Sequence, residues 1–238
     1  MQRKRFSSPA AIGLVFPWLV LVVAVPQGRA QNPQAQQQIE ELKQSFAANK
    51  QALSQFTWQE QQTVLIKGNV KKQEFFQVRM GPDGKPQKMP LEPQAAPQEE
   101  HGIRGHIKEK KIEEFEDYAH QIAALAQGYA QPEPGRIQQL YQQGAVMLGS
   151  GGAPNFLRVV IQGYQKPGDS VTLVFDRAQK SIQGLEISSY LSDPSDAVKI
   201  SAQYAPLPGG PNHVSQMVVN GISKQLTVQI QNSNYQRL

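Results

Sequence analysis

The sequence predicts an α+β fold in which a curved antiparallel sheet of about seven strands, an open or half β-barrel, is covered by three amphipathic helices. Two observations carry this prediction. Residues 156–230 contain five runs of alternating apolar residues, separated by turn signals and with no helical segment between them. Earlier segments place apolar residues three and four positions apart, which is the helical period. Helices and strands that are segregated along a chain are typical of the α+β class.

The late runs predict a meander with one apolar face. Val171, Leu173 and Phe175 alternate with Thr172 and Val174, and the neighbouring runs follow the same period of two. Side chains on a strand alternate between faces, so this period marks a sheet with one buried and one solvated side. Connections this short join antiparallel neighbours.

The last turn of the meander is predicted at Asn220-Gly221, between two apolar runs. Asn-Gly is the strongest short hairpin signal, because both turn positions require a positive φ.

The first 30 residues have the pattern of a cleavable secretory signal. A basic start is followed by the apolar run Ala10 to Val25, and Gly28 and Ala30 are small residues suited to a cut after Ala30. A retained membrane anchor is the alternative. A 16-residue helix rises about 24 Å, short of the ~30 Å hydrocarbon core. We therefore expect residues 1–30 to be a signal peptide and the protein to be periplasmic or secreted.

Composition excludes several functional classes. The chain has 24 Lys and Arg residues and 19 Asp and Glu residues, and four of the basic residues lie in positions 1–30. The remainder therefore has 20 basic and 19 acidic residues, which gives no argument for nucleic-acid binding. The chain has no cysteine, which excludes disulfides, thiol catalysis, thiolate metal sites and a lipid-modified N-terminal cysteine.

The elements that precede the meander begin with a Gln-rich segment, residues 31–38, which we expect to be a flexible leader. A helix is predicted from Ile39 to Ser54, and a long hairpin follows from Phe56 to Met80. Residues 39–238 are expected to form a single half-barrel-like domain. Four polar residues lie on the apolar parity of the hairpin strands: Glu60, Gln62, Lys72 and Glu74. We therefore expect the ends of the hairpin to reach past the covered part of the sheet.

Two further helices are predicted before the meander. Residues 92–105 are rich in Pro, Gln and Gly and predict a loop. The helix predicted from Ile107 to Tyr129 has an apolar stripe at three- and four-residue spacing, and a second helix is predicted from Gly135 to Leu148. The Gly-rich stretch after it is interpreted as the end of that helix, because it fits neither a nucleophile elbow nor a phosphate loop.

No catalytic or metal-binding constellation is present. His106 and His120 could share a helix face, but about 21 Å apart, which is too far for a common metal ion. The carboxylates between Glu113 and Asp117 lie among lysines and fit a solvated helix face. We therefore expect a protein that is not an enzyme and that uses no metal or cofactor.

The apolar face of the sheet is the one candidate site. A filled hydrophobic core and a ligand cavity both fit the pattern, and lipid tails need only apolar contact. The candidate lining residues are Trp58, Val64, Ile66, Phe76, Val78, Phe115, Ile122, Val171, Leu173, Phe175, Leu185 and Ile187.

The order of elements resembles the periplasmic lipoprotein-carrier half-barrel superfamily, and uncharacterised exported bacterial members most of all. The similar features are the export signal, the helix before Phe56-Thr57-Trp58, the long first hairpin, and Leu173-Val174-Phe175-Asp176 followed by a turn and a strand. The resemblance implies an acyl-chain or lipoprotein cavity between sheet and helices. It does not extend to the two adjacent central helices.

Two functional hypotheses remain open. The first is a soluble exported carrier or sensor that binds a lipid, an acyl chain or a lipoprotein. The second is a non-enzymatic envelope scaffold that has a solid core and binds a protein partner.

Overall fold

The computed structural model describes residues 32–238 except 83, 92–102, 131 and 209, and it describes no side chains for residues 103–111 and 130. The predicted signal peptide and most of the predicted loop 92–105 lie outside the described residues. The helices are α1 Pro33–Leu53, α2 Ile103–Ala130 and α3 Pro134–Gln142. The strands are β1 Phe56–Ile66, β2 Asn69–Met80, β3 Pro86–Pro90, β4 Val146–Ser150, β5 Phe156–Gln162, β6 Ser170–Asp176, β7 Ser181–Tyr190, β8 Ala197–Pro206, β9 Asn212–Gly221 and β10 Leu226–Arg237.

All described strands form one antiparallel sheet in the order β3-β2-β1-β10-β9-β8-β7-β6-β5-β4. The sheet is curved and not closed, because β3 and β4 are both edge strands. The α+β class is therefore confirmed, but the predicted count of about seven strands is wrong, since the sheet has ten. The short edge strands β3 and β4 were not counted, and the late region forms six strands instead of five.

The predicted second helix is too long. It ends at Gln142, and Gly144 adopts a φ of +75°, which stops a helix and favours glycine. Val146 and Leu148 then lie in β4 and pair with Ile161 and Val159 of β5. Leu148 also lies three residues after Ala145, which fits a helix face, so the sequence pattern did not separate the two conformations.

The predicted Asn220-Gly221 turn is also wrong. Both residues belong to β9, where Gly221 pairs with Leu226 of β10. The connection is residues 222–225, and Gln225 supplies the positive φ of +49°.

The first helix begins earlier than predicted and includes most of the segment expected to be a flexible leader. Pro33 occupies the first turn, where its missing N–H costs nothing. The Asn32 side chain accepts a hydrogen bond from the Gln34 N–H at 3.0 Å and caps the helix.

The three helices cover one face of the sheet. α1 packs on α3 and β9, α2 packs mainly on β8, β9 and β10, and α3 packs on β4 and β5. Strand residues of one parity and the apolar stripes of the helices share one core, as predicted for the stripe of α2. Burial of this apolar area is the main favourable term in folding.

Buried hydrogen bonds tie α2 to the loop between β5 and β6. Asp169 is fully buried and accepts hydrogen bonds from the backbone N–H groups of Tyr164, Gln165 and Lys166 at 2.6 to 3.0 Å. The Tyr129 hydroxyl donates to the same carboxylate at 2.5 Å. The Asp169 carboxylate therefore accepts four hydrogen bonds, and such hydrogen bonds offset the cost of burying a charged group.

A second contact fixes the middle of α2. The Tyr118 hydroxyl donates to Asp196 at 2.7 Å and lies 3.1 Å from the Ser223 hydroxyl. Its ring lies against Gly221, where an added Cβ atom would come within 2.4 Å of the ring. Gly221 is therefore needed for the close approach of α2 to the sheet.

We expect Gly221→Ala to lower the free energy of unfolding by about 1–3 kcal/mol, because the methyl group must push the Tyr118 ring from its hydrogen bonds. Denaturant unfolding measures this change. Gly184→Ala is the matched control, because its Cβ would meet its nearest atom at 3.8 Å. Equal stability changes in the two variants would contradict the proposed packing role.

Candidate functional site

Two clefts lie side by side between the helices and the β1–β10 part of the sheet. The helix-facing residues of β1 are, in order, Trp58, Glu60, Gln62, Val64 and Ile66. The first two line one cleft and the last three line the other. We call them the aromatic cleft and the α2 cleft.

The α2 cleft is an apolar space of about 580 Å³. Val64 and Ile66 of β1 and Val228 of β10 form its floor, and Phe115 and Ala123 of α2 contribute to its roof. Small alanines on this face of the helix leave room above the strands. The space exists because α2 packs mainly on β8 to β10, while β1 and β2 continue beyond it.

Charged side chains close one side of the α2 cleft. The Lys72 Nζ lies 3.4 Å from a carboxylate oxygen of Glu74 and 3.3 Å from one of Glu116. The second pair joins β2 to α2. Exposed pairs of this kind contribute little stability, so the rim can open at small cost.

The aromatic cleft has a volume of about 150 Å³ and is built around a β-bulge. Thr57 pairs with Gln236 and Gln59 with Ser233, so β10 has one extra residue opposite Trp58. The extra residue reverses the parity of β10 and places Tyr235 on the same face as Asn232. The rings of Trp58 and Tyr235 stack with centroids 5.4 Å apart, and His213 lies 4.1 Å from Tyr235.

A buried ion pair stands where the two clefts meet. Glu60 is only 6% exposed and accepts from the Lys88 Nζ at 2.5 Å and from the Gln62 Nε2 at 2.6 Å. Glu60 was expected at an uncovered end of the hairpin, and that expectation is wrong, because Glu60 is buried beside Lys88 of β3 in a cleft that residues of α1 also line. Lys88 supplies the charge that makes the burial of Glu60 possible.

Two buried polar atoms in the aromatic cleft have no hydrogen-bond partner within the described part of the chain. They are the Trp58 Nε1, a donor, and the Asn232 Oδ1, an acceptor. The Asn232 Nδ2 donates to the Val214 carbonyl at 2.9 Å, which fixes the orientation of the amide. Unmade hydrogen bonds of buried groups cost free energy, so such atoms are uncommon and often functional.

Burial favours the uncharged forms of the two tyrosines and the histidine that line this cleft. Burial raises the pKa of Tyr204 and of Tyr235 above the ordinary value for tyrosine. Burial lowers the pKa of His213 below its ordinary value, and its hydrogen bond with the Val214 carbonyl only partly opposes the shift.

The predicted lining residues separate into two groups. Val64, Ile66 and Phe115 line the α2 cleft, Trp58 lines the aromatic cleft, and Phe76 is half-buried beneath the Lys88 ammonium. The remaining predicted residues are buried and line neither cleft; they are Val78, Ile122, Val171, Leu173, Phe175, Leu185 and Ile187. The middle of the sheet is therefore filled, and the open space lies beside it.

Sequence reasoning did not select the polar residues of the aromatic cleft. Predicting the Glu60–Lys88 pair requires the register between β2 and β3. Predicting that Asn232 and Tyr235 share a face requires knowledge of the bulge in β10. No group of three His, Asp or Glu residues among the described residues could hold a metal ion. Within the same residues, no helix is long and apolar enough to cross a membrane.

Comparison with known proteins finds similarity only at the level of structure. No family model and no curated protein matches this chain. The chain is similar to a crystal structure of a DUF1329 family protein from Desulfovibrio piger, with 11% identity, a TM-score of 0.43, and coverage of 84% of this chain and 92% of that chain. It is also similar to a LolA superfamily protein from Nitrosomonas europaea, with 8% identity, a TM-score of 0.38, and coverage of 82% and 93%.

We expect the stability of the protein to fall as the pH drops below 6.5. The pKa of His213 is lowered in the folded state, so the unfolded chain, with a pKa near 6.5, binds the proton first and is favoured by acid. The loss levels off below the folded pKa. Unfolding in denaturant at a series of pH values measures it.

His213→Gln should flatten this part of the pH profile. His120→Gln is the control, because His120 is exposed on α2 and should leave the profile unchanged. A wild-type profile that His213→Gln does not alter would show that another group is responsible.

Proposed function

We propose that this protein is a non-enzymatic exported carrier or sensor that holds a lipid, an acyl chain or the acyl part of a lipoprotein between its sheet and its helices. The observation that carries the proposal is the α2 cleft. Its volume of about 580 Å³ falls within the ~300–1,000 Å³ of ordinary ligand pockets.

The chemistry of the α2 cleft favours a hydrocarbon ligand. Its floor and roof offer methyl groups and one aromatic ring, and an acyl chain placed there would be removed from water on two sides. Burying a methylene group contributes about 0.8 kcal/mol, so a chain of several methylenes would supply useful affinity. The charged groups at the rim pair with one another, which leaves the interior to apolar contact.

Export is part of the proposal. A cleavable signal over residues 1–30 would deliver the domain to the periplasm or outside the cell. A carrier in that compartment would shield an acyl chain from water without needing chemistry of its own, in agreement with the lack of a catalytic constellation in the sequence.

A second candidate function is an envelope scaffold that binds a protein partner. The core in the middle of the sheet favours it, because Leu173, Phe175 and their neighbours are buried against one another there. So does an apolar patch on the outer face of β2 and β3, where Phe75, Met89 and Leu91 are exposed. If native mass spectrometry shows only the ligand-free mass and the protein takes up no acyl ligand, the carrier candidate is excluded and the scaffold is the remaining candidate.

We expect Ala123→Phe to raise the Kd for a fluorescent acyl dye about tenfold or more, because the new ring occupies the roof of the α2 cleft. Fluorescence titration measures the change. Ala124→Phe adds the same ring one position further along α2, about 100° around the helix and outside this cleft, and should leave the Kd unchanged.

Thermal melting of both variants establishes that they remain folded. The carrier proposal is refuted if the wild-type chain does not bind the dye, or if the two variants bind it equally well.

A further inference from the structure

The two clefts adjoin one another along β1 and α2. Glu60 and Gln62 are consecutive on the inner face of β1, line different clefts, and are joined by a hydrogen bond of 2.6 Å. On the opposite wall, Ala123 lines the α2 cleft and Gln127, one helical turn later, lines the aromatic cleft. An elongated molecule in the α2 cleft would therefore meet the aromatic cleft with one of its ends.

The aromatic cleft offers that end a matched pair of hydrogen-bonding groups. The Trp58 Nε1–H can only donate, and the side chain is 95% buried, with 5% exposed. The Asn232 Oδ1 can only accept, because its Nδ2 is held by the Val214 carbonyl. A group that satisfies both must contain an acceptor and a donor close together, as a hydroxyl-bearing ester does.

The charges of the cleft select against an ionic group. The ionised side chains on its described walls are Lys50 and Lys88, which are positive, and Glu60 and Glu133, which are negative, so they cancel. Glu60 and Lys88 are already paired with each other at 2.5 Å. Because the wall charges cancel, a carboxylate or phosphate would give the cleft a net negative charge beside the buried Glu60, and an uncompensated charge in a buried site is disfavoured.

We propose that the aromatic cleft is the head-group site of an uncharged, hydroxyl-bearing amphiphile of the monoacylglycerol class, whose single acyl chain lies in the α2 cleft. This inference rests on the proposed function and narrows its ligand. Trp58 and Asn232 are the specificity-determining residues, and the α2 cleft supplies affinity that does not depend on the head group.

Competition for a bound acyl dye by three ligands with the same tail tests the inference at neutral pH. Monoolein carries hydroxyl donors and ester acceptors, methyl oleate carries acceptors only, and oleate carries a negative charge. We expect monoolein to displace the dye at a concentration about tenfold lower than either of the others, the difference that one or two added hydrogen bonds supply.

The variant Asn232→Leu should remove the preference for monoolein over methyl oleate, because it keeps the approximate size of the side chain and loses the Oδ1 acceptor for the hydroxyl that methyl oleate lacks. Gln138→Leu is the matched control: the Gln138 Oε1 is also a buried acceptor without a partner, but it lies outside both clefts, so the preference should persist. Melting temperatures confirm that both variants are folded.

A direct readout comes from Trp58 itself. In a Trp18→Phe background Trp58 is the only tryptophan, whether or not residues 1–30 are retained. Monoolein should shift its emission and methyl oleate should shift it less.

The outcomes separate the two proposals. Dye binding with equal competition by all three ligands, or with the tightest competition by oleate, overturns the head-group site and leaves the acyl cleft standing. A preference for monoolein over methyl oleate that survives Asn232→Leu also overturns the head-group site. Failure of the wild-type chain to bind the dye overturns both proposals.

Discussion

The pairing of β1 with β10 is the interaction on which the rest of the structure depends. The two strands are antiparallel from the Phe56–Arg237 pair to the Ile66–Leu226 pair, and they join the hairpin before the helices to the meander after them. Without this pairing the chain would contain a three-stranded sheet and a seven-stranded sheet, and the helices pack mainly on the second. With it, ten strands share one core, and every residue of both clefts that comes from β1 acquires a neighbour from β10.

The sheet is wider than the helices that cover it, and this mismatch creates the open space. α1, α2 and α3 bury the apolar residues of β5 to β9 almost completely. α2 is held in place at Tyr118 and Tyr129 by hydrogen bonds to Asp196 and Asp169. Because these contacts fix the helix over the late strands, it cannot also move onto β1 and β2, and the apolar side chains there remain partly covered.

Periodicity predicted the parts of the fold whose neighbours lie close in sequence. The alternation in β5 to β10 and the apolar stripe of α2 required no knowledge of distant contacts. The failures have a common cause, which is that tertiary contacts override a local signal. Gly221 serves the packing of Tyr118 and not a turn, and Glu60 is buried because Lys88 of another strand reaches it.

The candidate site was predicted in part for the same reason. Apolar residues that line the α2 cleft, such as Val64 and Phe115, follow from parity and helical spacing. The aromatic cleft could not be predicted in this way, because the extra residue in β10 changes the face that Tyr235 occupies. The periodicity of the sequence does not indicate this bulge. A filled core and an open apolar cleft also give the same sequence pattern, since both are lined by apolar side chains.

The two ends of the sheet bear on how the protein avoids pairing with copies of itself. An open ten-stranded sheet exposes two rows of backbone groups, and long, flat edges recruit further strands into fibres. Here both edge strands are only five residues long, and β3 begins and ends with proline, which has no N–H to offer. The sheet thus stays open, as ligand binding would require, while its short edge strands disfavour the addition of strands from other copies of the chain.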